Sequence, residues 1–298
     1  MEKLLINGGA CLKGTISCSG AKNAALPMIA ATILSDENVI LKNLPYLQDI
    51  TTMFELLGSM GAEILLNENM DFTISTNELK EKEARYELVK TMRASILVLG
   101  PLVAKYGEAR IALPGGCAIG TRPVNFHLDA LEQLGASISL KNGYIEAKAK
   151  KLQGTSIKFD GVTVTGTENI MMAACLAEGT TILTNVAKEP EIIDLAQFLN
   201  AMGAKITGAG TDEIIIEGVE MKICSHRSFL PTKKNGYVQN IVIMHKDTKI
   251  VSYSLRKGKI PVFFIEKNKP ATFTYPFFSL VSDYIMFWEI LRGKHKIL

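Results

Sequence analysis

The chain has 298 residues, room for about two domains, and its 47% hydrophobic content is that of a globular protein with a sizeable core. Its five cysteines (Cys11, Cys18, Cys117, Cys175 and Cys224) contain no CxxC pair and form no metal-ligand pattern with the four histidines. These features exclude a disulfide framework and a zinc motif. The N-terminal stretch MEKLLINGGACLKG lacks the apolar run of a signal peptide, so a reducing, cytoplasmic setting is expected. The net charge of +3 is unevenly spread. Residues 1–220 hold 19 basic and 26 acidic residues, whereas 221–298 hold 14 and 4. Nine of the 21 aromatic residues lie in the first part and 12 in the last. That shift marks a boundary near Val219.

The first 220 residues read as one pattern repeated three times. In the first copy Lys22–Leu34 is helical and Asn38–Leu44 a strand. A helix then ends at Leu57-Gly58-Ser59-Met60-Gly61-Ala62, before a strand pair at Ile64–Leu66 and Asp71–Ser75. The second copy has a helix over Thr91–Lys105 and a strand over Ala109–Leu113. Its helix end is Leu134-Gly135-Ala136, and its hairpin, Ser137–Leu140 with Tyr144–Ala147, turns at Asn142-Gly143. The third has a helix over Thr167–Leu176, a strand over Thr180–Val186, a helix end at Met202-Gly203-Ala204, and strands Lys205–Thr207 and Glu213–Glu217. Glycine just past a helical stripe is a helix C-terminal signal. Each copy is expected to run strand–helix–strand–helix–strand–strand. Three such units about a pseudo-threefold axis predict a compact α/β domain with its apolar helices inside.

The pattern places the starts of the first helices, at Lys22-Asn23, Met92-Arg93 and Glu168-Asn169, in equivalent positions at one end of the domain. Two of the three carry a cation on a positive helix end, which suits an anionic ligand. Solvated surface charge explains Lys22 or Arg93 equally well when each is taken alone. In the middle copy a loop runs from Pro114 to His127, through Gly115-Gly116-Cys117, Gly120 and Arg122. Pro123 stands at a first-turn position of the helix that leaves it. Glycines let backbone approach a ligand, while a helix N-terminus and an arginine lower a thiol's pKa. The loop reads as a phosphate cradle presenting a reactive Cys117, or as a tight strand-to-helix turn around a core cysteine.

Four segments resemble one family: Ser19-Gly20-Ala21-Lys22-Asn23-Ala24-Ala25-Leu26-Pro27, Lys90-Thr91-Met92-Arg93-Ala94-Ser95, the Gly-Gly-Cys loop, and Ala177-Glu178-Gly179-Thr180-Thr181 with Glu189-Pro190-Glu191-Ile192. They are similar to the UDP-N-acetylglucosamine 1-carboxyvinyltransferases, the bacterial enolpyruvyl transferases of peptidoglycan and cell wall synthesis. The resemblance covers about residues 1–219. It implies an inside-out α/β barrel of three repeats as one of two such domains, with the site in the cleft between them. It also implies transfer of the enolpyruvyl group of phosphoenolpyruvate to the 3′-hydroxyl of UDP-N-acetylglucosamine, with release of phosphate. The reaction would pass through a tetrahedral intermediate and need no metal or organic cofactor.

The resemblance also assigns residues. Cys117 would deliver a proton to the phosphoenolpyruvate methylene and be the thiol that fosfomycin alkylates. Lys22, Asn23 and Arg122 would hold phosphoenolpyruvate, with Lys22 also catalytic. The nucleotide sugar would meet Asn23, Arg93, Arg122, Pro123, Val124, Asn125, Phe126, Thr163 and Val164. Two departures stand out. Asn125 replaces the family's aspartate, which keeps hydrogen bonding but loses a charge, and a lysine of some relatives is missing around Asp160-Gly161.

The family pattern stops near Val219. Residues 1–21 are expected to belong to the second domain or the first repeat, 22–219 to form the catalytic domain, and 220–298 to be a basic, aromatic, poorly ordered tail. No family aspartate that would act as base for the sugar hydroxyl is found in the tail. Asn235-Gly236-Tyr237-Val238-Gln239 can be encoded so that the next frame gives Thr-Gly-Thr-Tyr, which the family has near this point. A frameshift is therefore the expected origin of the tail. Asp283 and Glu289 interrupt its apolar stretch Tyr275–Leu291, short of the about 20 residues a membrane span needs. No nucleic-acid partner is expected, and the oligomeric state is left open. Impaired turnover is expected; the alternative is an inactive fragment or pseudoenzyme that binds the nucleotide sugar.

Overall fold

The structure, a computed structural model, describes residues 14–17, 19–68, 70–113, 124–219, 240–246, 248–252 and 262–265. It divides into two compact units, Met1–Ser19 with Thr232–Leu298, and Gly20–Pro231. In the first, β1 (Gly14–Ser17) is the edge of an antiparallel four-stranded sheet. The other strands are those covering Asn240–Lys246, Thr248–Ser252 and Val262–Ile265. Most of the tail, including the apolar stretch from Tyr275, lies outside the described residues.

The second unit contains the three repeats. The first runs α1 (Lys22–Ala31), a 3-10 turn at Thr32–Leu34, β2 (Val39–Leu41), α2 (Gln48–Met60), β3 (Glu63–Leu66) and β4 (Phe72–Ser75). The second opens with β5 (Glu83–Ala84) and a single turn, α3 (Tyr86–Val89). It continues through a 3-10 segment, Arg93–Val98, into α4 (Leu99–Tyr106), β6 (Glu108–Ala112), α5 (Asn125–Gln133), β7 (Ser137–Lys141) and β8 (Tyr144–Lys148). The third runs β9 (Ser156–Lys158), α6 (Val164–Ala174), β10 (Thr180–Thr184), α7 (Pro190–Ala201), β11 (Lys205–Thr207) and β12 (Glu213–Glu217).

Two sheets have the same order, β5-β6-β8-β7 and β9-β10-β12-β11, each with one parallel pair followed by antiparallel ones. The first repeat has β2-β4-β3 alone, because β1, the strand that precedes its first helix, pairs elsewhere. Among the described residues β2 therefore lacks the parallel neighbour that β6 and β10 have.

The sequence explains this layering. Residues Ala24–Ala31 of α1 and Gly166–Ala174 of α6 are buried on every face, as helices without a polar stripe must be. Together with α4 they form the centre, and α2, α5 and α7 bury one face each. Strands alternate buried and open positions, as in β12 with Ile214 and Ile216 inward, so the sheets form the outer layer. The glycines that mark the repeat all have left-handed backbone: Gly61 at φ +105°, Gly135 at +94° and Gly203 at +106°. A side chain costs about 1–2 kcal/mol in that conformation. At the hairpin turn Asn142 (φ 51°) and Gly143 (φ 77°) are both left-handed, matching the twist of β7 and β8.

Several expected boundaries are corrected: Thr91–Lys105 is the 3-10 segment Arg93–Val98 followed by α4, and the strand placed at Asn38–Leu44 spans Val39–Leu41. The helix placed at Thr167–Leu176 spans Val164–Ala174. Thr163 has extended backbone, and its hydroxyl accepts from the Gly166 N–H at 3.2 Å, an N-cap that starts the helix three residues earlier. Glu168 and Asn169 therefore do not open a helix. They lie a turn inside it and are buried.

Candidate active site

Lys22, the first residue of α1, is half-buried and pairs with Asp49 Oδ2 at 2.6 Å. Asp49 lies in the first turn of α2, so two helix starts meet at a cation and a carboxylate. Asn23 beside it is exposed. An anion arriving at Lys22 would share the ammonium with Asp49.

Arg93, half-buried, opens the 3-10 segment that leads into α4. Its charge is felt by His127 on α5, a ring that is 3% exposed. Burial, and then the Arg93 charge, lower the His127 pKa from 6.5 to about 4, so the ring is neutral at physiological pH. Thr165 Oγ1 lies 3.3 Å from His127 Nε2, and Asn169 Nδ2 lies 2.9 Å from Nδ1. Both partners stand on α6. Next to this pair the Phe126 ring packs on Gly161, where a Cβ would meet Phe126 Cζ at 3.1 Å. A larger residue at this position would crowd the ring. The structure thus gathers Arg93, Phe126, His127 and the Thr163–Thr165 turn into one place. Three of the residues expected to meet the nucleotide sugar, Arg93, Phe126 and Thr163, belong to this group, with Val164 following the cap. Val124 is half-buried and Asn125 exposed at the start of α5.

Cys117, Arg122 and Pro123 lie outside the described residues. Cys175 is a core thiol instead. It is fully buried, donates to Met171 O at 3.2 Å, and burial pushes its pKa up to about 12, the reverse of an activated cysteine.

Sequence reasoning placed Asn169 at a helix start and His127 at the end of the Pro114 loop, and did not bring the two together. Their contact spans 42 residues of chain, and no local spacing announces it. It also missed a group of carboxylates where α6 and α7 meet. Burial, and then the charges of Glu191 and Glu189, raise the Glu168 pKa well above the usual range. Burial followed by Glu191 raises Asp194 to about 7. Glu168 Oε1, Glu189 Oε2 and Asp194 Oδ2 have no hydrogen-bond partner among the described residues. No three acidic, histidine or cysteine side chains there are placed to hold a metal ion. No helix among the described residues is long and apolar enough to cross a membrane.

Layered repeats of this kind, with helices inside and sheets outside, are the fold of the enolpyruvyl transferases. The enolpyruvyl transferase NikO from Streptomyces tendae superposes with a TM-score of 0.61 at 24% identity, over 72% of this chain and 50% of that one. EPSP synthase from Acinetobacter baumannii superposes with a TM-score of 0.58 at 20% identity, over 72% and 49%. The family model for EPSP synthase (3-phosphoshikimate 1-carboxyvinyltransferase) matches residues 6–229, and the chain belongs to that family. Within it, the chain is 55% identical over 233 residues to a UDP-N-acetylglucosamine 1-carboxyvinyltransferase of Halorhodospira halophila. The match covers 78% of this chain and 56% of that protein, so the chain spans about half the length of the relative. A second model, for 2-hydroxy-palmitic acid dioxygenase Mpo1-like proteins, matches residues 260–295 alone.

Proposed function

We propose that the unit holding the three repeats is the nucleotide-sugar half of a UDP-N-acetylglucosamine 1-carboxyvinyltransferase. In this reading residues 22–219 form the catalytic domain and act in the cytoplasm in peptidoglycan synthesis. Convergence of Arg93, Phe126 and the capped start of α6 carries the reading. It joins a cation, an aromatic face and a helix N-terminus, groups suited to a diphosphate and a base. The identity to the Halorhodospira relative supports the choice of substrate.

The reaction asks for three things from these residues. The 3′-hydroxyl of UDP-N-acetylglucosamine gives up its proton to a base and its oxygen bonds to C2 of phosphoenolpyruvate, while an acid delivers a proton to the methylene carbon. The C2–O bond to phosphate then breaks as the methyl group loses a proton, which leaves the enol ether and inorganic phosphate. Cys117 is the proposed proton donor to the methylene. Lys22, with Asn23 and Arg122, would offset the charge that develops on phosphate and carboxylate. Arg93, Phe126, Thr163 and Val164, together with Pro123, Val124 and Asn125, would orient the nucleotide sugar.

The match to the family ends at residue 229 while the chain continues to 298. We propose that the 298-residue chain turns over weakly or not at all and keeps nucleotide-sugar binding. Phosphate release measured with both substrates checks this; a rate equal to that of a full-length relative would refute it. The match of residues 260–295 to another family's model bears on the origin of the tail. An out-of-frame reading has no reason to give such a match, so it favours an in-frame segment of separate origin over a frameshift. The nucleotide sequence past codon 220 decides between them.

A further inference from the structure

The side chain of Asn169 is wholly buried on α6 and is held by three partners on three other elements, α4, the 3-10 segment before it and α5. The Gly100 N–H donates to its Oδ1 at 2.7 Å, and its Nδ2 donates to Ile96 O at 3.1 Å. A backbone N–H only donates and a carbonyl only accepts. These two contacts therefore fix which end of the amide is oxygen. The second Nδ2 hydrogen then points to His127 Nδ1 at 2.9 Å. Nδ1 must accept, so the ring proton sits on Nε2, which donates to Thr165 Oγ1 at 3.3 Å. One amide thereby sets the tautomer of a neutral imidazole. Through that ring it ties the start of α5, which carries Phe126, to the first turn of α6, which carries Thr163 and Val164. Its other two contacts tie both to the segment that begins at Arg93.

We propose that Asn169 is a positioning residue for the nucleotide-sugar site, acting by locking His127 as the Nε2–H tautomer between α5 and α6. The inference rests on the reading of that site given above. The packing leaves no slack for an alternative arrangement. A Cβ on Gly100 would lie 2.4 Å from both the Asn169 carbonyl oxygen and Oδ1, so helix α4 can approach the amide only with glycine there.

The test uses the full chain and two readouts. Long-range ¹H–¹⁵N spectra of the histidine rings report the tautomer, with His127→Gln identifying the His127 signals among the four histidines. Calorimetry reports binding of UDP-N-acetylglucosamine. The unmodified chain is expected to show an unprotonated Nδ1. In Asn169→Asp a carboxylate faces Nδ1 and draws a proton onto it, and affinity is expected to fall at least tenfold. Thr165→Val removes the Nε2 partner but leaves the amide, so the tautomer is expected to stay unchanged. A protonated Nδ1 in the unmodified chain overturns the inference. So does an unprotonated Nδ1 in Asn169→Asp, or a tautomer switch in Thr165→Val. A switch in Asn169→Asp without loss of affinity overturns the link to the site. If the unmodified chain does not bind UDP-N-acetylglucosamine, the reading of the site itself fails, whatever tautomer the spectra show.

Discussion

His127 and Asp194 show how individual residues trade stability for a buried polar centre. The His127 pKa is lowered to about 4 in the folded chain. The unfolded chain therefore binds the extra proton as pH falls from about 6.5 towards 4, and stability is lost over that window. Asp194 behaves in the opposite sense. Its pKa is raised from 3.8 to about 7, so it favours the folded state fully below pH 3.8, and this is lost as pH rises through 7. The two effects oppose each other over nearly the same range. Replacing Asp194 with Asn is expected to stabilise the chain at pH 8 on the order of 2–4 kcal/mol, with the gain vanishing below about pH 4. Urea unfolding at the two pH values checks this, and an equal effect at both would contradict it. At this scale the sequence was readable only in part. Lys22 and Arg93 could be picked out because each stands at the same point of a repeated pattern. Asn169 and Glu168 were misplaced because Thr163-Val164-Thr165-Gly166 reads as β-branched strand sequence, and the Thr163 cap shows only in three dimensions.

Elements were more legible than side-chain pairs, for a physical reason. A helix that ends in a left-handed residue selects glycine locally, so Gly61, Gly135 and Gly203 mark three helix ends regardless of tertiary context. The 3-10 geometry of Arg93–Val98 is different. There Ser95 Oγ donates to Met92 O at 2.7 Å, a local bond that a helical periodicity cannot foretell. Strand partners were also beyond reach, since nothing local in Gly14–Ser17 says that it pairs with Asn240–Ile243 rather than with β2. The central packing of α4 against α6 makes a sharp prediction at the element scale. Gly100→Ala places a methyl group against backbone and amide at 2.4 Å. The helices must separate, with an expected loss of ~1–3 kcal/mol or more, read as a fall in melting temperature. An unchanged melting temperature would show that the two helices do not approach so closely.

For the whole molecule, the charge difference between 1–220 and 221–298 coincides with the end of the family match at residue 229. The family part and the tail thus differ in composition as well as in the family models they match. What the family part does by itself is the central question, and the proposed reading makes it depend on a cation, an aromatic ring and a helix start from three segments. Calorimetric titration of the full chain with UDP-N-acetylglucosamine, beside the Arg93→Ala variant, asks it directly. A hydrogen bond to a charged group contributes ~1.5–3 kcal/mol. Saturable one-to-one binding that weakens by about tenfold or more in Arg93→Ala is the predicted result. No binding by the unmodified chain, or equal binding by both, would contradict it.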